Sequence, residues 1–174
     1  MNIDFIELIK SRRSIRRYQD KPVSNEFLWR VLEAARWAPS AHNSQPWEFI
    51  IIKDEEIKRK VAEVSSWGKF LSKAPVGIAV VINPMKSNHP VEDGAAVTQN
   101  ILLAAYALGL GACWIGSYGS VWEDEAKEIL EIPKNLRLLS IVSIGYPAEE
   151  PSSTRRDLEK LVYLNRYGVY TKIL

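Results

Sequence analysis

The sequence predicts a single α+β or α/β domain in which helices cover a sheet. Segments with apolar residues at helical spacing alternate along the chain with short runs of β-branched and aromatic residues. One of these runs, residues 76–82, is apolar throughout, which is typical of a strand covered on both faces. The 174 residues contain no repeat, low-complexity tract or Gly/Ser linker, so residues 1–174 are predicted to form one domain.

Five segments show the apolar spacing or the capping residues of a helix. They lie at residues 2–10, 25–36, 54–65, 91–109 and 121–131. The predicted caps are Asn2, Ser24 and Asp54, and Ser120 with Glu123 has the spacing of a capping box. The fourth helix is apolar nearly all round, so we expect it to lie in the core as a central pillar.

Four runs rich in β-branched and aromatic residues predict strands. They lie at residues 47–53, 76–82, 112–116 and 136–147. Turn-forming residues fill the segment 38–46 between the second helix and the first strand. The tail from residue 151 has no compact pattern of its own.

The balance of charge argues against a polyanionic partner. With 23 basic and 21 acidic side chains the net charge is only +2, so the chain as a whole has no strong attraction to nucleic acid or to an anionic membrane. The single cysteine, Cys113, excludes an intramolecular disulfide and is typical of a reducing compartment. The start of the chain lacks a signal-peptide pattern, and the longest apolar run, 101–110, is about half the length needed to cross a bilayer. We therefore expect a cytoplasmic protein without a membrane span.

The stretch "SRRSIRRY", residues 11–18, concentrates four arginines around Ser14 with no acid between them. Three interpretations are open: a solvated basic surface, a nucleic-acid patch, or a site for one compact anion. Near-neutrality of the whole chain favours the compact anion over the polyanion. Arginine offers planar paired donors to phosphate oxygens, and Ser14 can add a hydroxyl donor, so a single phosphate fits.

Other stretches carry weaker chemical signals. Asn43 and Gln45 in "PSAHNSQPW" could read the edge of a heterocycle, because each amide is both donor and acceptor. Ser40 and His42 could belong to a hydrolase, but the G-x-S-x-G elbow is absent. The glycines of "GLGACWIGSYG" allow a flat ligand to approach the backbone. The two histidines belong to no cluster with ligand spacing, so no metal site is predicted.

Four stretches taken together resemble the FMN-dependent nitroreductase family. They are "SRRSIRRY", "APSAHNSQPW", "DGAAVTQNILLAAYALGLGACWIGS" and "GYP…RRDLEKLV", in the family's order and over nearly the whole chain. The resemblance implies an α+β, nitroreductase-like fold, with a central, mostly antiparallel sheet surrounded by helices. It also implies an intertwined homodimer with two flavins at the interface, in which a C-terminal extension of about 158–174 packs on the partner subunit.

The resemblance also assigns the residues that bind the cofactor. Arg12 and Ser14 are similar to phosphate and ribityl ligands, Arg16 to the cation at the pyrimidine edge, and Arg13 to a backbone contact. The residues that resemble the loop lent by the partner chain are Pro39, Ser40, Ala41, Asn43 and Gln45. Those that resemble the strand end beside flavin N5 are Ile115, Gly116 and Ser117, with a backbone N–H of Gly116 or Ser117 as the donor to N5. Arg155 is similar to the second phosphate ligand, and Arg156 takes that place if the register shifts by one.

The implied activity needs no catalytic side chain, because the flavin carries the redox chemistry. NAD(P)H would be the electron donor, nitroaromatics or quinones the small-molecule acceptors, and the kinetics ping-pong. Three other functions stay open: a flavin-metabolising or reductively dehalogenating member of the same fold, a non-catalytic FMN carrier or sensor, and a basic-patch binding module.

Overall fold

The computed structural model describes residues 4–169 and contains a four-stranded antiparallel sheet with helices on both faces. The strands are β1 (Trp47–Ile52), β2 (Val76–Ile82), β3 (Gly111–Gly116) and β4 (Arg137–Gly145). Their spatial order is β1-β2-β4-β3, and each neighbouring pair is antiparallel. The α+β class with an antiparallel sheet is confirmed.

Five α-helices surround the sheet within the described residues. They are α1 (Phe5–Ser11), α2 (Asn25–Arg36), α3 (Glu55–Val64), α4 (Pro90–Ala107) and α5 (Glu123–Ile129). Short 3₁₀ turns lie at Ala41–Asn43, Lys69–Lys73 and Leu158–Lys160.

The caps at Ser24 and Asp54 are confirmed, since their side chains accept from the amides of Phe27 and Ile57. The predicted cap Asn2 lies outside the described residues, and Asp4 accepts from Ile6 N at the start of α1.

The capping box at the start of α5 is wrong. The helix begins at Glu123 instead of residue 121, and its N-cap, Trp122, makes no side-chain cap hydrogen bond. The carboxylate of Glu123 instead accepts from the guanidinium of Arg137. A buried carboxylate gains more from a charge-assisted partner than from a helix amide, so the tertiary contact overrides the local pattern.

Strand β2 is covered on both faces, as its unbroken apolar run predicted. Ile78 and Val80 point into one cluster, which α2 and α4 cover. Ala79 and Val81 point into the opposite cluster, which α3 and α5 cover. The sheet is therefore the middle layer of the described domain, with helices on both faces. A ligand can contact the sheet only at its edges and at the ends of its strands.

Helix α4 lies in the core along its sheet-facing side, as expected, whereas its other side is only partly buried. Its sheet-facing residues Val97, Ile101 and Ala105 are fully buried, whereas Tyr106 is exposed. Large apolar side chains of the adjacent helix α2 and of its C-cap residue are exposed as well, with Trp29 at 70% and Trp37 at 73%. In a single chain, α2 and α4 thus leave apolar surface in contact with water.

The described part of the C-terminal extension, residues 158–169, buries none of its side chains fully. It contains the 3₁₀ turn Leu158–Lys160, and Leu158 and Tyr167 are exposed. Residues 170–174 of the predicted extension lie outside the described part. No helix between residues 4 and 169 is long and apolar enough to cross a membrane.

Gly94 sets the distance between α4 and the sheet, because a Cβ there would lie 2.5 Å from Leu139 Cδ2 and 2.9 Å from Ile82 Cγ2. We expect Gly94→Ala to lower the free energy of unfolding by about 1–3 kcal/mol, although the same change usually stabilises a helix. Urea denaturation measures the effect. Gly116→Ala is the matched control, since no atom lies within 4 Å of its added methyl group and stability should hold. A stabilised Gly94→Ala protein would contradict the tight packing.

Candidate functional site

The basic run is attached to the edge of the sheet by its backbone. Ser14 forms a parallel bridge with Ala112 of β3, and Ile15 N donates to Ala112 O at 3.0 Å. Tyr18 forms an antiparallel bridge with Pro147, just beyond β4. The side chain of Ile15 is buried. Residues 14–18 thus form an irregular extra edge beside β3, which fixes where their side chains can point.

Residues of this run and of the C-terminal tail line one cavity of about 310 Å³, which we call the basic cavity. Its lining residues are Arg12, Arg13, Ser14, Arg16, Pro151, Ser152, Ser153 and Arg155. The structure therefore brings the predicted Arg12, Arg13, Ser14 and Arg16 together with Arg155. Arg156 is exposed and does not line the cavity.

Arg12 has an incomplete environment. Its Nη1 atom is buried and has no hydrogen-bond partner among the described residues. Burial lowers the pKa of Arg12, and the nearby charge of Arg155 lowers it further. Unpaired buried guanidinium atoms are costly, so the geometry fits an anion that accepts from Arg12 and offsets the repulsion between the two arginines.

The other two arginines of the cavity differ in how they are held. Arg13 donates through Nη1 to Lys10 O at 2.6 Å and to Arg12 O at 2.9 Å, so its guanidinium folds back on the chain. The guanidinium carbon of Arg16 lies 5.7 Å from the ring centroid of Phe70. Arg13 is thus partly committed to the backbone, whereas Arg16 rests on an aromatic ring.

Glu149 holds the backbone of the basic run by hydrogen bonds, a role the sequence analysis did not detect. Its carboxylate accepts from Arg16 N at 2.5 Å, from Arg17 N at 3.0 Å and from Arg17 Nε at 3.0 Å. The hydrogen bond from Arg16 N is the main cause of a lowered pKa at Glu149. The acid therefore forms an ion pair with Arg17 and orders the backbone, while Arg12 and Arg155 form no ion pair with any residue that the structure describes.

The strand end predicted to lie beside the ligand ring is open. Gly116 is exposed, and a Cβ built on it would meet no atom within 4 Å. Its neighbours Ile115 and Ser117 are buried. Ser117 N already donates to Leu139 O at 3.0 Å, so Ser117 is not the free backbone donor we expected and Gly116 remains the candidate.

A further segment that the sequence analysis missed joins Arg16 to this strand end. A Cβ on Gly68 would lie 2.8 Å from Ile115 Cγ2, so the backbone at Gly68 packs directly against β3. Two residues later, Phe70 lies beneath Arg16. In the structure Gly68 is buried and Phe70 is half-buried. The sequence "SSWGKFL" offers only a glycine followed by an aromatic residue as a local signal, and that signal is common in ordinary loops.

Cys113 and the acidic residues show no separate site. Cys113 is buried, and burial raises the pKa of its thiol, which agrees with its interpretation as a small core residue. Among residues 4–169, no three His, Cys, Asp or Glu side chains form a group that could hold a metal ion.

The predicted partner loop has an unusual backbone. His42, Asn43 and Gln45 have φ angles of 54°, 55° and 46°. Non-glycine residues in this left-handed region cost free energy and persist where the surroundings impose them. Asn43 and Gln45 are also exposed, so their side-chain amides are presented to solvent.

Asp93 imposes the conformation of this loop. Its buried carboxylate accepts from Ala41 N at 3.0 Å and from Ser87 Oγ at 2.5 Å. Within the loop, Gln45 N donates to Ser40 Oγ at 3.0 Å. The first turn of α4 thus holds residues 40–45 in place, which explains why the strained backbone persists.

The loop and the basic cavity lie at opposite edges of the sheet in one chain. The loop leads into β1, whereas the basic run borders β3, and β2 with β4 lies between them. Three strand spacings amount to about 14 Å. None of the predicted loop residues, Pro39, Ser40, Ala41, Asn43 and Gln45, lines the basic cavity. The structure brings the arginines and the strand end to one edge and does not bring the loop to them.

Glu123 organises the turn that follows the open strand end. Its buried carboxylate accepts from Gly119 N, Arg137 Nε and Arg137 Nη2, each at 2.7 Å, and from Leu138 N at 3.2 Å. Burial by itself would raise the pKa of Glu123, but the hydrogen bonds from Arg137 and Gly119 outweigh burial and the pKa is lowered. The charged carboxylate therefore stabilises the folded state.

Comparisons with known proteins point to one group of relatives. The model of the nitroreductase family matches residues 9–73 and 66–146. A protein of Archaeoglobus fulgidus, provisionally named NADH dehydrogenase/NAD(P)H nitroreductase, is 43% identical over 150 residues, which are 83% of this chain and 86% of the relative.

Two solved structures are similar along almost their whole length. An FMN-dependent nitroreductase of Clostridium difficile has a TM-score of 0.87 and 33% identity, covering 93% of this chain and 99% of its own. A provisionally assigned nitroreductase of Desulfovibrio desulfuricans was solved in complex with FMN. It has a TM-score of 0.83 and 33% identity, covering 96% of this chain and 99% of its own.

The lowered pKa of Glu123 predicts an acid-dependent loss of stability. A carboxyl group whose folded pKa lies below its ordinary value of 4.5 stabilises the fold above that pH, and this contribution disappears as the pH falls through the folded value. Glu123→Gln should therefore cost about 1–3 kcal/mol of unfolding free energy at pH 7. The difference from the wild type should shrink below pH 4.5. Urea denaturation across pH tests this, with the exposed Glu125→Gln as control, and a difference independent of pH would contradict it.

Proposed function

This chain belongs to the nitroreductase family, and we propose that it is an NAD(P)H-dependent FMN oxidoreductase whose basic cavity holds the cofactor phosphate. The observation that carries the proposal is the buried Nη1 of Arg12, which lies near the charge of Arg155 and has no hydrogen-bond partner within residues 4–169. A phosphate dianion is the compact anion that two guanidinium groups and a hydroxyl such as Ser14 bind well. The solved relative in complex with FMN supports the identity of the cofactor.

The donor set along β3 fits the whole cofactor as well as its phosphate. Arg12, Ser14 and Arg155 surround the basic cavity, while the open space lies at Gly116, four residues along β3 from the partner of Ser14. Four residues of strand span about 13 Å, so an elongated ligand could reach from the cavity to the strand end. A glycine with free space above its Cα permits a flat ring to approach the backbone.

The protein contributes binding and electrostatics. When bound, FMN supplies the redox chemistry, taking hydride from NAD(P)H and passing electrons to a nitroaromatic or quinone acceptor in a ping-pong cycle. Arg16, held at Phe70 and by its backbone amide at Glu149, supplies a fixed positive charge that favours negative charge on a neighbouring ligand. Gly116 supplies access to one ligand face. The names of the relatives support NAD(P)H as donor.

A homodimer would complete this site. The strained loop with Asn43 and Gln45 lies at the sheet edge opposite the basic cavity, so it can reach a cavity only on another copy of the chain. Exposed apolar residues offer surface for such a contact, among them Phe5 on α1, Trp29 on α2 and Trp37 directly after α2. We propose that each chain lends its loop to its partner's flavin and that the extension from about residue 158 packs on the partner.

The phosphate assignment predicts that removing an arginine of the basic cavity lowers the affinity for FMN. Arg12→Ala should weaken FMN binding by about 1.5–3 kcal/mol, because a charge-assisted hydrogen bond is lost, and Arg155→Ala should act similarly. Arg156→Ala is the matched control and should bind as the wild type, since Arg156 does not line the cavity. Fluorescence titration of apoprotein with FMN measures all three. Wild-type affinity in Arg12→Ala would refute the assignment.

Sharing of the loop predicts complementation between two defective chains. Arg12→Ala damages the basic cavity, and the double variant Asn43→Ala/Gln45→Ala damages the loop. A mixed dimer restores one intact site only if cavity and loop come from different chains. Co-expressed variants should therefore bind FMN better than either variant alone. Equal, poor binding in the mixture would mean that both parts act within one chain.

Turnover separates the proposed enzyme from a flavin carrier. The FMN-loaded protein should bleach when NADH or NADPH is added without oxygen and recover its yellow colour when a quinone follows. An FMN-loaded protein that neither nicotinamide reduces would be a carrier or sensor.

A further inference from the structure

The turn after β3 holds an exposed tyrosine beside the open strand end. Tyr118 lies two residues after Gly116, so their Cα atoms are within about 7 Å of each other. Tyr118 N and Ser117 N both donate to Leu139 O, at 3.1 and 3.0 Å. The backbone of the turn is thus fixed to β4, while Tyr118 itself remains 43% exposed.

The ring of Tyr118 is held as firmly as its backbone. The guanidinium carbon of Arg137 lies 4.3 Å from the ring centroid, a cation–π contact. Two hydrogen bonds of 2.7 Å to the carboxylate of Glu123 fix this guanidinium in turn. The same carboxylate binds Gly119 N, which has the positive φ of 70° that closes the turn.

This arrangement is more than the fold requires. The pair Glu123–Arg137 already links α5 to β4, and an exposed ring adds little burial to that link. A ring held in one direction loses less conformational entropy when a flat molecule stacks on it than a freely rotating ring does. An exposed aromatic ring that is held by a cation–π contact, on a residue two positions after the open strand end, has the properties of a stacking surface.

We propose that Tyr118 determines acceptor specificity by stacking on flat aromatic acceptors, and that Glu123 and Arg137 are positioning residues which hold its ring. The inference rests on the proposed flavin site at Gly116. Small acceptors without a ring gain nothing from this contact, so the preference for aromatic acceptors comes from Tyr118.

The test compares two acceptors in the FMN-loaded enzyme with NADH as donor. Tyr118→Ala should lower the ratio of kcat/KM for 1,4-naphthoquinone to that for ferricyanide about threefold to tenfold, as expected for the loss of one aromatic contact. Tyr118→Phe should retain the ratio, since stacking needs only the ring. Val121→Ala is the control in the same turn, because Val121 is 98% exposed.

A double-variant cycle tests the positioning role. Arg137→Lys keeps the charge but loses the planar stack and the paired hydrogen bonds, so it should lower the ratio as well. Added to Tyr118→Ala it should cause no further fall, because the ring it positions is gone. A further, additive fall would overturn the positioning role.

Failure of the inference differs from failure of the proposed function. An unchanged ratio in a Tyr118→Ala enzyme that binds FMN and oxidises NADH overturns the inference alone. A wild-type protein that takes up no FMN overturns both. Measuring FMN affinity for every variant ensures that a changed ratio reflects acceptor choice and not cofactor loss.

Discussion

The candidate site depends on the attachment of residues 14–18 to the edge of β3. Guanidinium groups repel one another, so they do not gather unless the backbone holds them. The Ser14–Ala112 bridge, the buried side chain of Ile15 and the carboxylate of Glu149 supply this hold. Arg12 and Arg155 can therefore face the same space before an anion arrives. Such preorganisation spares the ligand the cost of assembling its own binding site.

Features that depend on neighbouring residues could be predicted from the sequence. The strand β2 and the caps at Ser24 and Asp54 rest on local spacing. The compact-anion interpretation of the arginine run rests on the near-neutral charge of the whole chain and stays a prediction. Features that depend on contacts between residues far apart in the sequence could not be predicted. Glu149 meets Arg16 across 133 residues of chain, and no local pattern marks that acid. Glu123 shows how a local rule fails, because its spacing indicates a helix cap while its carboxylate binds Arg137.

The loop before β1 is a second constraint, independent of the arginines. Three left-handed residues within four positions cost free energy that the loop does not regain through burial, since His42, Asn43 and Gln45 are all exposed. The hydrogen bond from Ala41 N to Asp93 maintains this shape at the start of α4. Under the proposed function, this exposed segment, which is far from the cavity of its own chain, is held in the shape in which it contacts the flavin of a second copy.

The buried Nη1 atom of Arg12, which has no partner among the described residues, also affects the stability of a newly made chain. Under the proposed function, the nascent protein carries uncompensated charge inside its fold until flavin binds, and ligand binding to the native state shifts the folding equilibrium in its favour. In a cell short of riboflavin, more of the protein would then be flavin-free and unfolded, and proteases remove unfolded chains. The vitamin would thus act as a folding aid, and its supply would help set how much of the protein survives.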